Sequence, residues 1–463
     1  MKRILISLLV LLVTSSFNTA AYGLEFDPIS ETDVNNRVLF TGNGYLKIQR
    51  ESYKKGVPGS YAYASYSKDG VYWTGIGDRD SHSSLFAQFL NYDNTYNGKV
   101  MEEDDRFIFL RTTKAEHGLN NLQQKGKIII TDKSFHVLKT LDSDYFVSDL
   151  SCIDGVYYAN RYTEYNDTNI YYGDYMTKQE SYRSTDLENW TLYRADGGIP
   201  FVSAAGKTVL VQHGKILRAN YTRQAGTTWL IQNGNPVQKI AEEPMTIFDA
   251  IPVRGYLIGN PTQESQLGKI GISKDGVYYK MLDLPLENEI MTKVHELTGE
   301  RVDIETRVYD LKGGAVQVNH YVCAMEDLFA EAPEGGIYVQ VNDEVLGFST
   351  PPVTENDRTL VPMRFLFEKL GAEVNWDETT NTAIATMPAD VTEQIQTFGM
   401  AKGKSVSFSI DNITATVNGE TAAMDVPARL VNDKTLVPLR FLSENLGYTV
   451  TWDEANNTAV ITK

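Results

Sequence analysis

The residues of this chain that could do chemistry are mostly carboxylates and phenols, with six histidines and two cysteines among 463 residues. Glycosidic hydrolysis needs two carboxylates flanking the scissile bond, one of them held protonated by its surroundings. Acids and tyrosines are plentiful, but the linear chain does not show which of them converge. Asp93-Asn94-Thr95-Tyr96-Asn97-Gly98 opens like a calcium loop, with glycine at the sixth place. Its third residue is Thr95 and its twelfth is Asp104, so an ordinary polar loop is expected, with calcium as the alternative. His295-Glu296-Leu297-Thr298-Gly299 lacks the second histidine four residues on that a zinc pair requires. No catalytic, cofactor-binding or metal-binding residue is assigned. Tyr157, Tyr158, Tyr162, Tyr165, Tyr171 and Tyr172 are candidates for stacking on a sugar or protein surface, the alternative being ordinary strand packing.

The elements that would position any site begin with a duplication. Asp357–Thr386 recurs as Asp433–Thr462, 76 positions later and without a gap, with about two-thirds of its positions identical. Each copy has a β-prone run ending in proline (Pro362, Pro438), which suits the start of a helix. An apolar face follows at helical spacing (Phe365, Leu366, Leu370; Phe441, Leu442, Leu446), then a glycine stop (Gly371, Gly447). A Val-x-Trp strand, a polar turn and another strand complete a strand-helix-strand-strand unit. Trp376 and Trp452 are expected to pack on their helices, and Asp377 and Asp453 to make turns. Arg364 and Arg440 are expected to make an ion pair within each copy, with binding of a wall polymer as the alternative.

The pattern TLVPxRFLxExLGxxVxWDxxxNTA, over Gly336 to Lys463, resembles the copper amine oxidase N-terminal-like or stalk domain. Ile337–Phe348 and Ser405–Val417 match that family's strand pairs, with turns at Asn342-Asp343 and Asn418-Gly419. The resemblance implies a secreted or surface protein of a Gram-positive type of bacterium. It does not bring copper chemistry with it, because the family is an appendage of the oxidases. Asn91-Tyr92-Asp93 matches the quinone-forming triplet of those enzymes, but the histidines (His82, His117, His136, His213, His295, His320) include no His-x-His pair. Copper amine oxidase activity is therefore not expected.

Residues 24–330 read differently. Short β-prone runs alternate with glycine-containing turns: Val71–Thr74, Phe107–Arg111, Lys127–Thr131, Val156–Arg161, Thr208–Gln212, Lys215–Ala219, Thr228–Gln232, Tyr256–Gly259 and Ala315–Val322. SKDGVYW (Ser67, Asp69, Trp73), STDLENW (Ser184, Asp186, Trp190) and SKDGVYY (Ser273, Asp275, Tyr279) share a form in which Ser and Asp satisfy a tight turn and the aromatic pins it. Ile153–Tyr158, IDGVYY, is a related hairpin. These segments resemble the Asp-box hairpins of sialidase-like propellers, and STDLENW those of five-bladed glycosidases; the resemblance makes their Asp and Trp structural. The fold class expected is a mainly β N-terminal domain, a propeller of five to seven blades, followed by the duplicated α+β domain. A polar Pro/Gly break at residues 331–336 is read as a linker, with the stalk domain at 337–463.

A formal charge of −17 disfavours nucleic acid, whose phosphates need a cationic face. Residues 1–23 read as a secretory signal, with Lys2 and Arg3 before the apolar run Ile4–Val13, and no later run is expected to span a membrane. A secreted or wall-associated location follows, with Cys152 and Cys323 either paired or free. The reading is a non-enzymatic binding protein for polysaccharide or surface proteins. The alternatives are a secreted glycoside hydrolase and an adhesion module without a small-molecule pocket.

Overall fold

A computed structural model describes residues 24, 26–30, 37–50, 62–76, 98–113, 125–143, 146–166, 175–212, 215–217, 222–224, 227–232, 235–241, 247–261, 267–309, 315–380, 382–387 and 404–462. The signal segment, the Asn91-Tyr92-Asp93 triplet and most of the calcium-like loop lie outside these residues.

Apart from the hairpin Lys215–Leu217 with Thr222–Gln224, the described strands before Met325 form six four-stranded antiparallel sheets in chain order, a β-propeller. Their innermost strands are Arg37–Phe40, Gly98–Glu102, Phe146–Ile153, Ile199–Val202, Ile247–Val253 and Ile290–Leu297. The sixth sheet takes its outer strand from the other end of the chain: Asp27–Pro28 pairs with Val322 and Tyr321. Inner strands of the first and sixth sheets also pair, Arg37 opposite Leu297 and Val38 opposite Glu296. The ring is thereby closed by contacts between residues far apart in sequence.

The apolar runs follow from this stacking. In RFIFLRTT (Arg106–Thr113), Phe107 and Phe109 join Leu46 and Phe135 between sheets one and two. Ile108 and Leu110 join Leu150 and Leu187 between sheets two and three. A strand covered on both faces needs no alternation, which is why the run is continuously hydrophobic. Apolar clusters also fill the gaps between sheets four and five and between five and six. Polar contacts span the other two gaps. Between sheets three and four, Asn160 Oδ1 accepts the Gly198 N–H at 3.0 Å and Arg194 lies 4.1 Å over the Trp229 ring. Between six and one, Arg37 donates to the fully buried Asp303 at 2.9 Å.

The helix α1 (Met325–Ala330) ends the propeller. The duplicated unit then appears twice as expected, with helices α2 (Met363–Lys369) and α3 (Leu439–Asn445) capped by Gly371 and Gly447 at φ 86° and 96°. The strands Arg358–Pro362 and Lys434–Pro438 pair antiparallel with Val361 opposite Val437. Those two residues are equivalents in the repeat, so a local twofold axis passes between them. The hairpin preceding each copy adds to the other copy's sheet. Tyr338–Val341 pairs with Thr458–Thr462, while Thr414–Val417 joins the first copy's sheet through Ser405–Ser409.

The halves of the chain are not separate bodies. Asn235–Ala241, the outer strand of sheet four, pairs in parallel with Glu344–Gly347. One eight-stranded sheet therefore runs from the propeller into the second repeat. Leu230, Val237, Val277 and Tyr278 of the propeller belong to the same apolar core as the repeats. The segment read as a linker is part of this junction: Gly335 lies so close to Asp275 that a Cβ there would stand 3.0 Å from Oδ2.

Candidate functional site

The three Asp boxes occupy one structural position, the turn between third and fourth strands, in sheets one, three and five. In the first, Asp69 accepts the Val71 and Tyr72 N–H groups at 2.9 Å, and Ser67 accepts that of Gly70 at 2.9 Å. In the second, Asp186 accepts the N–H groups of Glu188 and Asn189, which hold its carboxyl well below the usual range. Trp73 and Trp190 donate their indole N–H back to Gly70 and Leu187. The run Val71–Thr74, expected as a strand, is mostly this turn: the strand begins at Thr74, and Val71 and Tyr72 are 71% and 80% exposed.

The third box is different. Tyr338 donates its hydroxyl to Asp275 at 2.8 Å, its ring stacks on Tyr278 at 5.8 Å, and Tyr278 donates to the Ile337 carbonyl at 2.6 Å. Val277 and Tyr278 are each only 1% exposed. Of two identical stretches, SKDGVY, one thus leaves its Val71 and Tyr72 exposed and the other is sealed beneath the C-terminal half. Lys239 lies in this seal with its ammonium 4.5 Å over the Tyr279 ring, and burial lowers its pKa to about 8.

The acids of the propeller core are engaged as framework. Glu102 accepts from Tyr66 at 2.8 Å and from Lys133 at 2.9 Å. Glu289 accepts from Thr306 and Tyr321. His295 Nε2, 3.4 Å from Glu305, holds that carboxyl far below its ordinary range, with Lys293, Thr292 and Arg307 adding to the effect against burial. His320 Nδ1 lies 3.0 Å from Asp303. Among the described residues no group of three or more His, Cys, Asp or Glu is arranged to hold a metal ion.

Tyr157 does not serve as a stacking platform: it is buried, and donates its hydroxyl to Glu103. Tyr158 packs edge-on against Tyr193 at 5.0 Å. The side chains of Tyr162 and Tyr165, and all of Tyr171 and Tyr172, lie outside the described residues. Cys152 and Cys323 stand in sheets three and six as free thiols, and burial pushes Cys323 up to about 12.

Two open clefts flank the local twofold axis of the repeats, of about 440 and 780 Å³. The smaller takes Arg364 and Trp376 from the first copy and Asp433, Lys434 and Thr435 from the second. The larger takes Arg440 and Trp452 from the second copy and Asp357, Arg358 and Thr359 from the first. These are equivalent positions 76 apart, identical except for Arg358 and Lys434, and the pairing of the two copies' strands builds each cleft from both. The tryptophans, expected to pack on their helices, border these clefts with 38% and 37% of their surface exposed. Asp377 does make its turn, accepting the Thr379 N–H at 2.9 Å, and Asp453 does likewise with Asn456. The ion pair expected within each copy is loose in the second, Arg440 to Glu444 at 3.9 Å. In the first, Arg364 forms none among the described residues, although Glu368 is one turn away.

The clefts were not legible in sequence because each needs side chains from both copies. The available signal was identity between copies at Arg364/Arg440 and Trp376/Trp452, residue types suited to surfaces.

The model of the copper amine oxidase N-terminal domain family matches residues 340–461. No curated protein matches the chain. Similar solved structures include a protein of unknown function from Dyadobacter fermentans, with 11% identity, 65% of this chain and 98% of that chain covered, and a TM-score of 0.37. The GH93 α-L-arabinofuranosidase of Fusarium graminearum has 12% identity, coverage of 66% and 97%, and a TM-score of 0.35. The β-propeller domain of the Trilobed protease from Pyrococcus furiosus has 8% identity, coverage of 65% and 96%, and a TM-score of 0.34. Likeness at this level transfers no activity to this chain.

Proposed function

We propose that this is an exported, wall-associated binding protein in which a β-propeller presents a polysaccharide- or protein-binding face and the duplicated domain holds it in a set orientation. The observation that carries the reading is the shared strand Asn235–Ala241, which makes propeller and stalk-like domain one continuous sheet. A rigid mount has value to a protein that displays a surface. The C-terminal half occupies the end of sheets four and five that bears the Asp-box turns, through Lys274–Glu334 and Lys207–Asn456. No metal or cofactor is invoked.

The test is a glycan array and a wall-fraction pull-down with the full chain lacking residues 1–23, with reducing sugar measured in the supernatant. Retention without sugar release is the expected result. Release of sugar would replace this reading with glycoside hydrolysis. Failure to bind any wall fraction or glycan would remove it.

A further inference from the structure

The seal over sheet five includes a run of consecutive residues, Glu334-Gly335-Gly336-Ile337-Tyr338, laid on one SKDGVY turn. Lys274 Nζ pairs with Glu334 at 2.7 Å, the Ile337 carbonyl accepts the Tyr278 hydroxyl at 2.6 Å, and Asp275 Oδ2 accepts the Tyr338 hydroxyl at 2.8 Å. The Tyr338 ring lies within 14° of parallel to that of Tyr278. Gly335 brings the main chain close to Asp275, where a side chain would crowd Oδ2.

The turn of sheet one offers the same groups on the same backbone. Asp69 Oδ1 accepts the Val71 and Tyr72 N–H groups at 2.9 Å, as Asp275 Oδ1 accepts those of Val277 and Tyr278 at 2.8 and 3.0 Å. Gly70 and Gly276 stand at φ 75° and 77°. Lys68, Asp69, Val71 and Tyr72 are exposed. Lys68 Nζ, Asp69 Oδ2 and the Tyr72 hydroxyl, the twins of the three groups engaged in sheet five, have no partner among the described residues. The turn itself does not need these side chains, because the box of sheet three has Thr185, Glu188 and Asn189 at the places of Lys68, Val71 and Tyr72. That box also occupies its own second carboxylate oxygen: Asn189 Nδ2 donates to Asp186 Oδ2 at 2.8 Å. Of the three boxes, sheet one's is the one whose docking groups stand open.

We propose that the sheet-one turn is a docking site for a segment of another protein built like Glu334–Tyr338: a carboxylate, two glycines, a residue with a free carbonyl, and a tyrosine. The carboxylate pairs with Lys68, the carbonyl accepts the Tyr72 hydroxyl, and the partner's phenol donates to Asp69 Oδ2. The glycines let the partner's main chain approach the turn. Each copy of this chain already has its own segment engaged at sheet five, so the occupant comes from a different protein. This surface is separate from the wall-binding role proposed above and does not depend on it.

The probe is the peptide Pro333–Val341, PEGGIYVQV, fluorescently labelled and titrated into the chain lacking residues 1–23. One peptide is expected to bind per chain. Tyr72→Ser should weaken it about tenfold or more, the loss typical of an aromatic anchor. Tyr338→Phe in the peptide should also weaken it, by removing the donor to Asp69. Lys68→Glu in the chain should weaken the parent peptide, and Glu334→Lys in the peptide should restore binding to that variant alone. Both chain variants are at exposed positions, and thermal melting confirms that each folds. The proposal is overturned if the peptide does not bind at millimolar concentration, or if Tyr72→Ser and Lys68→Glu bind it as the parent does. It is also overturned if the reversed charges fail to restore binding. A parent chain that sediments as a dimer, dissociated by Tyr72→Ser, would overturn it in favour of a second copy. Glycan and wall retention should be unchanged in both variants, which separates failure here from failure of the propeller reading.

Discussion

At the scale of single residues, the junction between the halves is built on buried polar groups that are matched to one another. Lys239 is the least comfortable of them. Its ammonium faces an aromatic ring with Asp275 nearby, and desolvation brings its pKa to about 8, from an ordinary 10.5. Because the folded pKa is below the unfolded one, the unfolded chain binds more protons between those values. Stability therefore rises with pH from about 8 to about 10.5. Lys239→Met should remove that rise in a denaturation series. It should also stabilise the protein at pH 7 by up to about 3 kcal/mol, the free-energy equivalent of the shift.

At the scale of elements, one hairpin sequence serves two ends. The Asp box stabilises its turn by accepting backbone N–H groups, and this is complete in sheets one and three without outside help. In sheet five the same turn carries Tyr338 and Ile337 as well. Asp69→Ala should therefore cost about 1 kcal/mol, as for the loss of an exposed cap. Asp275→Ala should cost about 3 kcal/mol or more, since it strands a buried tyrosine hydroxyl as well as the turn. Chemical denaturation of both variants measures the difference. Equal losses would mean that the junction contributes nothing through this hairpin.

At the scale of the whole molecule, apolar clusters fill four of the gaps between sheets, and polar contacts span the remaining two, three–four and six–one. The six–one gap holds Glu305, whose carboxyl is held low chiefly by His295. A depressed carboxylate contributes stability above its unfolded value of 4.5 and loses it as pH falls. Its partners all belong to sheet six, so acid should weaken that sheet, and Glu305→Gln should be less stable at pH 7 with a flatter acid limb below pH 4.5. Melting temperature against pH for both proteins reads this directly. Truncation after Ala330 is a second test at this scale. It uncovers Leu230, Val237, Val277 and Tyr278 and leaves Asn235–Ala241 as a bare edge. The truncated propeller should aggregate and bind a hydrophobic dye. A monodisperse product of unchanged melting temperature would show that the halves are independent.

The amino-acid sequence by itself determined what depends on neighbours along the chain. The repeat, its helices with their proline starts and glycine stops, the Asp-box turns and the strand-rich front half are all local patterns of side-chain period and turn chemistry. Only the tertiary structure decided what depends on residues brought together from afar. The pairing of Arg358–Pro362 with Lys434–Pro438 puts Arg364 of one copy and Lys434 of the other on the lining of one cleft. The shared sheet turns an apparent linker into packed core, and buries Val277 and Tyr278 of one SKDGVY while Val71 and Tyr72 of its twin stay exposed. Burial and pairing are properties of surroundings, and identical strings of residues can be given different surroundings.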